Sequence, residues 1–398
     1  MEATSASLPA LFIALPEGII DLGWGHPSPR LHPLALMQQA AQRAFAQTRT
    51  AMLQYGAPQG FGPLLVSLAS FLSLQSAYQH TVEPTQLFLT CGASQALDMA
   101  CTLLTRPGDV VLVEEPTYYL VERIFRDHQL RVLGVPTDAD GLCIDALQAQ
   151  LADPAQPRPA LLYTIPAYHN PTGSVLPAVR RQALVDLAQR YRFLIAADEV
   201  YHLLYYDTPP PPPLAVFDTS TQGCVLSLGS FSKILSPGLR LGWIQAHPAL
   251  IQRFVEAGFV ASGGGLNHFA ATLVHAAIEL GLLAENISTL QATYRERLQA
   301  FTAALRTYLP DDVRIMVPGG GYFVWLTCGP DIATEALLPY ARQAGVGYRP
   351  GPAFSATAAF PQAMRLSFAL YEVEDLVQGA ARLGQAMRVY RQAPGGAL

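Results

Sequence analysis

The sequence predicts a large, doubly wound α/β domain on a mostly parallel sheet, joined to a smaller α+β domain. Three observations carry that expectation. Short apolar runs alternate with helix-period stretches between roughly residues 60 and 260. A long helical pattern and two further strand-like runs follow it. With 398 residues, 51% of them hydrophobic and 14% charged, the chain can bury a large core.

Taken in order, Leu87–Thr90, Val110–Glu114, Ala160–Ile165, Phe193–Ala197 and Val225–Leu228 read as buried strands, each an apolar run too short for a helix. Between two of them, Leu184, Leu187, Ala188 and Tyr191 fall on one helix face. Pro209–Pro213 can be neither helix nor central strand and reads as a stiff extended loop. Leu283, Ile287, Leu290, Tyr294, Leu298, Phe301 and Leu305 step by three and four along a long helix, and Tyr322–Thr327 and Met364–Phe368 read as shorter strands. This divides the chain into an N-terminal segment (1–50) packing with the small domain, a large domain (51–280) and a small C-terminal domain (281–398).

A net charge of −5 gives no electrostatic footprint for nucleic acid or an anionic membrane, and no apolar run is long enough to span a bilayer. The first cation after the initiator methionine is Arg30, so no basic signal-peptide start is present. Five dispersed cysteines read as free thiols in a reducing cytoplasm, and neither they nor the nine histidines have metal-ligand spacing. The expectation is a cytoplasmic protein with no metal.

Of 25 basic residues, 24 are arginine; the single lysine is Lys233. A bias towards arginine explains the 24 but not the exception. An arginine cannot shed its proton in a protein, whereas a lysine amine can be tuned to become an imine-forming nucleophile. Ligands of open α/β sheets lie beyond the carboxyl ends of the strands, where this sequence places its polar residues. Asp198 ends the apolar run Phe193–Ala197. A carboxylate buried there needs a cation or strong donors: an arginine, a helix cap, or the protonated nitrogen of a pyridine ring. Asn170, in the turn Asn170-Pro-Thr-Gly173, and Tyr201, three residues past Asp198, offer donors for a ring oxygen. Thr90-Cys-Gly-Ala-Ser-Gln95 turns from strand into helix through Gly92, leaving the amides of Ala93, Ser94 and Gln95 at the positive helix end. Ser230, Ser232 and Arg240 complete a cup sufficient for a phosphate. An imine-forming lysine, a carboxylate for a ring nitrogen and a phosphate cup together point to pyridoxal 5′-phosphate.

The series Gly92-Ala-Ser-Gln, Glu114-Glu-Pro-Thr-Tyr, His169-Asn-Pro-Thr-Gly, Ala197-Asp-Glu-Val-Tyr, Ser230-Phe-Ser-Lys and Gly238-Leu-Arg-Leu-Gly-Trp resembles class I/II aminotransferases of pyridoxal-phosphate fold type I. Through Gly25–Pro29, a Gly-x-Pro-x-Pro, it is similar to the 2-aminoadipate and kynurenine aminotransferase group. The resemblance, from about Gly23 to Met387, implies Lys233 as the Schiff-base lysine and proton shuttle and Asp198 as partner of the ring nitrogen. It implies Asn170 and Tyr201 as donors to the 3′-oxygen, and Tyr118, or Tyr119 one register on, as the stacking aromatic. Ser94, Ser230, Ser232 and Arg240 match phosphate ligands. Tyr55 matches a tyrosine given to the neighbouring subunit's phosphate in a homodimer with shared active sites. Arg365 matches the clamp on the substrate α-carboxylate, where position alone reads as a surface strand arginine; Asn170 and Gly25 line the same substrate site. The substrates implied are an L-amino acid and a 2-oxo acid. β-Elimination, cyclisation or oxidation on the same scaffold is the alternative, and a transcriptional effector domain a more distant one. Trp24 and His26, close to the expected substrate pocket, depart from the group's pattern, as do Arg30 and Arg349, which read equally as favouring a dicarboxylic substrate or as solvated surface charges; Gly263–Gly265 reads as a flexible segment.

Overall fold

The computed structural model describes residues 18–393. Fourteen strands form three sheets. The largest has eight: β2 (Leu87–Thr90), β3 (Val110–Glu115), β4 (Arg131–Asp138), β5 (Gly141–Leu142), β6 (Pro159–Thr164), β7 (Leu194–Asp198), β8 (Val225–Ser230) and β9 (Gly242–Ala246). A two-residue β1 (Ile20–Asp21) pairs in parallel with β12 (Val346–Gly347). The third sheet joins β10 (Arg314–Met316), β11 (Phe323–Thr327), β13 (Arg349–Pro350) and β14 (Ala363–Ser367).

The large sheet runs β2-β9-β8-β7-β6-β3-β4-β5. From β4 across to β8 every pairing is parallel, and β9 and β5 are the antiparallel exceptions. The central strands are apolar and covered on both faces, as a parallel sheet requires. One face carries the helix Ala93–Leu104; the opposite face packs on Ala178–Tyr191 through Leu184, Val185, Leu187 and Ala188. This is the doubly wound α/β architecture, with a smaller α+β unit around β10, β11, β13 and β14.

The expected strands stand within a residue or two of their sequence limits, and Leu87–Thr90 coincides with β2. Of the fourteen strands among the described residues, seven were not expected from the sequence: β1, β4, β5, β9, β10, β12 and β13. β4 contains Pro136 and is mostly exposed at its edge, and β9 begins inside the Gly238–Trp243 motif. The long helix is Leu282–Tyr308, with its predicted apolar residues buried. Pro209–Pro213 is irregular, and the carbonyl of Pro212 accepts from Arg181 Nη1 at 2.9 Å. Gly263–Gly265 is tight rather than loose: Gly265 N–H donates to Gly56 at 2.9 Å, and a side chain at Gly265 would meet the Ala57 carbonyl oxygen at 2.0 Å. Close backbone approach is what requires glycine there.

We propose domain limits at residues 50 and 280. The β1–β12 pairing supports a tie between the N-terminal segment and the small unit. The helix Leu34–Thr48 of the same segment instead shares a buried cluster with Ala276 and Ala277 of the helix His268–Glu279.

Candidate active site

Each parallel strand ends on the same edge of the sheet, so its last residue and the following loop face a common cleft. β7 delivers Asp198, β8 delivers Ser230 and the turn holding Ser232 and Lys233, and β6 leads to Asn170. The N-terminal segment crosses this edge: the carbonyl of Gly25 accepts from Lys233 Nζ at 3.2 Å. The amine lies 5.4 Å from the ring centre of Tyr322 and 5.9 Å from that of Tyr201. Burial draws its pKa down to about 8; Asp198 pulls the other way, and the charges of Arg365 and Arg240 add to the fall.

Asp198 Oδ2 accepts from the Tyr163 hydroxyl at 2.7 Å, while Oδ1 is buried with no partner. Burial raises this carboxyl's pKa against the opposing pull of Tyr163 and Lys233. The Val200 backbone N–H also favours the carboxylate, but no arginine pairs with it among the described residues.

The anion cup assembles across about 150 residues of sequence. Arg240 reaches back to the Cys91 carbonyl at 3.1 Å and to Ser232 Oγ at 3.5 Å, and Ser230 Oγ donates to Ser232 Oγ at 3.0 Å. Gly92, at φ +94°, starts the helix Ala93–Leu104, and a side chain there would approach the Arg240 guanidinium to 3.0 Å. Ser94 is exposed at that helix end. The Gln95 side chain turns back to accept from Cys91 N–H at 2.7 Å, so of Gln95 the backbone amide is what remains for an anion.

Arg365 is almost fully buried on β14. Its Nη1 donates to Asn170 Oδ1 and its Nη2 to the Gly23 carbonyl, both at 2.7 Å, while Nε has no acceptor. The guanidinium lies 4.1 Å from the ring centre of Phe323 and 4.9 Å from that of Phe354. Burial lowers its pKa to about 10, and no carboxylate of the described residues pairs with it. The surface reading of this arginine is therefore overturned: it is a buried cation with no carboxylate beside it among the described residues. Gly25 lies beside it, since a side chain there would meet Phe323 at 2.7 Å and Arg365 at 3.9 Å. Because Asn170 Oδ1 is taken by Arg365, its amide N–H groups are left as donors.

Tyr118 and Tyr119 diverge. Tyr119 packs edge-on against Phe354, whereas Tyr118 joins the cluster on the sheet face around Tyr163. Burial first, then Tyr119 and Asp198, push the Tyr118 pKa up to about 12. Tyr201 is buried against Tyr322 and Phe323, and burial raises its pKa as well, keeping it a neutral donor. His26 feels both site cations: burial, then Lys233, then Arg365, lower its pKa to about 4. Tyr55 stands apart, 86% exposed, on the loop that meets Gly264.

Four contributors gave no chemical signal in the sequence. Tyr163 looked like one more apolar residue of β6. Tyr322, whose hydroxyl donates to the Lys233 carbonyl at 3.2 Å, and Phe323 read only as the start of a strand. The fourth, Glu114, stands next to last in β3 and accepts from Thr164 Oγ1 at 2.9 Å and Ile165 N–H at 2.8 Å, while His169 Nε2 lies 3.1 Å away. It anchors the loop that carries Asn170.

Known proteins resemble this chain over nearly its whole length. The aromatic-amino-acid aminotransferase 1 of Thermococcus litoralis is 32% identical over 372 residues, 93% of this chain and 88% of that protein. The crystal structure of α-aminoadipate aminotransferase from Thermus thermophilus, complexed with N-(5′-phosphopyridoxyl)-L-leucine, is 32% identical with a TM-score of 0.83, covering 94% of this chain and 93% of its own. Kynurenine aminotransferase from Pyrococcus horikoshii, in complex with PMP, is 29% identical with a TM-score of 0.87, covering 94% and 92%. The family model for aminotransferase class I and II matches residues 16–383, and to that family the chain belongs.

Proposed function

We propose that Lys233 holds the pyridoxal 5′-phosphate of this aminotransferase, and that Arg365 presents the α-carboxylate of an L-amino acid to it. The observation that carries the reading is a pair of buried groups that both act on the charge of the only lysine: Asp198, whose Oδ1 has no donor, and Arg365, which has no carboxylate. The residues fit the cofactor. Its phosphate suits the amides of Ala93, Ser94 and Gln95 with Ser230, Ser232 and Arg240; its ring nitrogen suits Asp198; its 3′-oxygen suits Asn170 and Tyr201; Tyr118 suits the ring face.

When bound, the cofactor supplies an electron sink that acidifies the substrate's α-hydrogen. The chain does the rest. Arg365 and the Asn170 amide fix the substrate carboxylate, which sets the α-hydrogen towards the lysine. Lys233 Nζ, with its pKa near 8, is poised to take and return that proton near neutral pH. The Tyr163–Asp198 hydrogen bond keeps the carboxylate oriented in a dry site. The surrounding Tyr201, Tyr322 and Phe323 rings limit water near the amine.

We further propose a cytoplasmic homodimer in which Tyr55 acts on the partner's site. Support comes from exposed Leu53 and Tyr55 beside Phe45 and Phe269, an apolar face on the side of Gly56 and Gly265. The charge of −5 favours small-molecule substrates over nucleic acid, and no single helix of the described residues is long and apolar enough to cross a membrane.

The test is a half-reaction. Holoenzyme mixed with an L-amino acid should yield one equivalent of 2-oxo acid per site with no ammonia, and added oxo acid should restore the starting spectrum. Ammonia release with continuous turnover from amino acid alone would place the protein with the eliminating or oxidising enzymes instead.

A further inference from the structure

Arg349 has no role in the reading above, yet it is built into the same site. In the antiparallel pairing of β13 with β14 it stands directly opposite Arg365, and directly opposed residues project from the same face of a sheet. Its guanidinium lies 5.3 Å from the ring centre of Tyr119. That ring packs 5.5 Å from Phe354, against which Arg365 also lies. The two cations thus flank one aromatic pair, and the charge of Arg349 is felt at Arg365.

Neither cation has a counter-ion among the described residues. The contrast with the other enclosed arginines is sharp. Arg181 pairs with Glu199 at 3.3 Å and Arg297 with Glu372 at 2.7 Å. The Nε atoms of both Arg349 and Arg365 are instead buried without an acceptor. Stacking on Tyr119 covers one face of the Arg349 guanidinium but gives its buried Nε no acceptor. A third unmet donor, Trp24 Nε1, belongs to the N-terminal segment next to Gly23, whose backbone lies against that of Tyr348. An α-carboxylate can satisfy Arg365 alone. Two adjacent cations without anions call for a ligand bearing two.

We propose that Arg349 binds a second carboxylate, carried on the substrate side chain, so that acidic L-amino acids are preferred donors. The inference rests on Arg365 taking the α-carboxylate and adds the substrate class. Tyr119 then serves as the floor that holds the Arg349 guanidinium flat, ready for a two-point contact with the carboxylate.

The experiment uses the holoenzyme and its Arg349→Gln and Arg349→Lys variants. L-Glutamate and L-2-aminoadipate are compared with the neutral L-glutamine and L-norleucine for kcat/KM. Binding of the unreactive glutarate is compared with that of valerate by the shift in cofactor absorbance. Arg349→Gln should lower kcat/KM for the acidic donors about 10- to 100-fold, chiefly through KM, and change the neutral donors less than about threefold. It should also weaken glutarate without weakening valerate. Arg349→Lys should recover part of the acidic preference, which a loss of folding would not allow. Equal losses for acidic and neutral donors, or none for acidic ones, would overturn the assignment. A wild-type enzyme that transaminates only neutral amino acids would overturn it and leave amino transfer standing. One that transaminates no amino acid would remove both.

Discussion

Lys233 shows how burial, together with the charges around it, tunes one amine. An ordinary lysine has its pKa near 10.5, whereas enclosure among Tyr201, Tyr322 and the Gly25 carbonyl brings this one to about 8. Only the neutral amine attacks an aldehyde, and its share grows as pH rises through the pKa. For the cofactor-free protein, uptake of pyridoxal 5′-phosphate should therefore accelerate about tenfold per pH unit below pH 8 and level off above it. Stopped-flow absorbance measures this directly. A rate still climbing towards pH 10 would mean that the amine is solvated and that the enclosed geometry does not govern it. Burial acts on Asp198 and Arg365 in the same way, disfavouring the charged form of each, and each keeps one buried polar atom without a partner. Of these three, Lys233 and Asp198 were legible from rarity and from position at a strand end. Arg365 was legible only through resemblance, because nothing in Met364-Arg-Leu-Ser reveals that Phe323 and Phe354 enclose it.

Strand ends and the loops behind them set the positions of these side chains. Glu114, next to last in β3, joins β6 to the turn of Asn170, through Thr164, Ile165 and His169; the His169 ring then holds Thr172 at 2.8 Å. Glu114→Ala would leave several buried donors without an acceptor. It should destabilise the cofactor-free protein by about 2–4 kcal/mol, read as a lower midpoint in urea at unchanged slope, and loosen the Asn170–Arg365 contact. An unchanged midpoint would show that the loop is held by something else. Runs of apolar residues made β2, β3, β6, β7 and β8 readable, since a strand buried on both faces has few other ways to look. The same rule hid β4, whose burial is mixed and which is interrupted by Pro136, and it hid the polar duty of Tyr163, which is as buried as its neighbours.

At the scale of the molecule, the N-terminal segment and the small unit converge on the edge of the large sheet, and the apolar face around Tyr55 is left open. The shared-site proposal makes a genetic prediction. Lys233→Ala and Tyr55→Glu should each be inactive; the second sets a negative charge against the phosphate. If Tyr55 acts across the interface, a heterodimer gathers both lesions into one site and frees the other. About half of one wild-type dimer's activity should return in the doubly tagged, co-refolded heterodimer. No recovery from folded, dimeric parents would confine Tyr55 to its own subunit. The fold class was readable because alternation of strand and helix is a property of long stretches. The site's completeness was not, because it depends on approaches between residues such as Cys91 and Arg240, which only the folded sheet brings together.

The scarcity of lysine has a consequence for the protein's outer chemistry. Every other basic side chain is a guanidinium, and the one ε-amine is enclosed. Reactive carbonyl compounds, sugars and acylating agents condense with surface amines and gradually disfigure most proteins. Here they meet a coat that does not condense readily, while an aldehyde shaped to enter the cleft meets the single amine that does. Off-target capture of the cofactor by side chains is thereby suppressed by composition, and amine reagents find only Lys233 and the α-amino group of the chain.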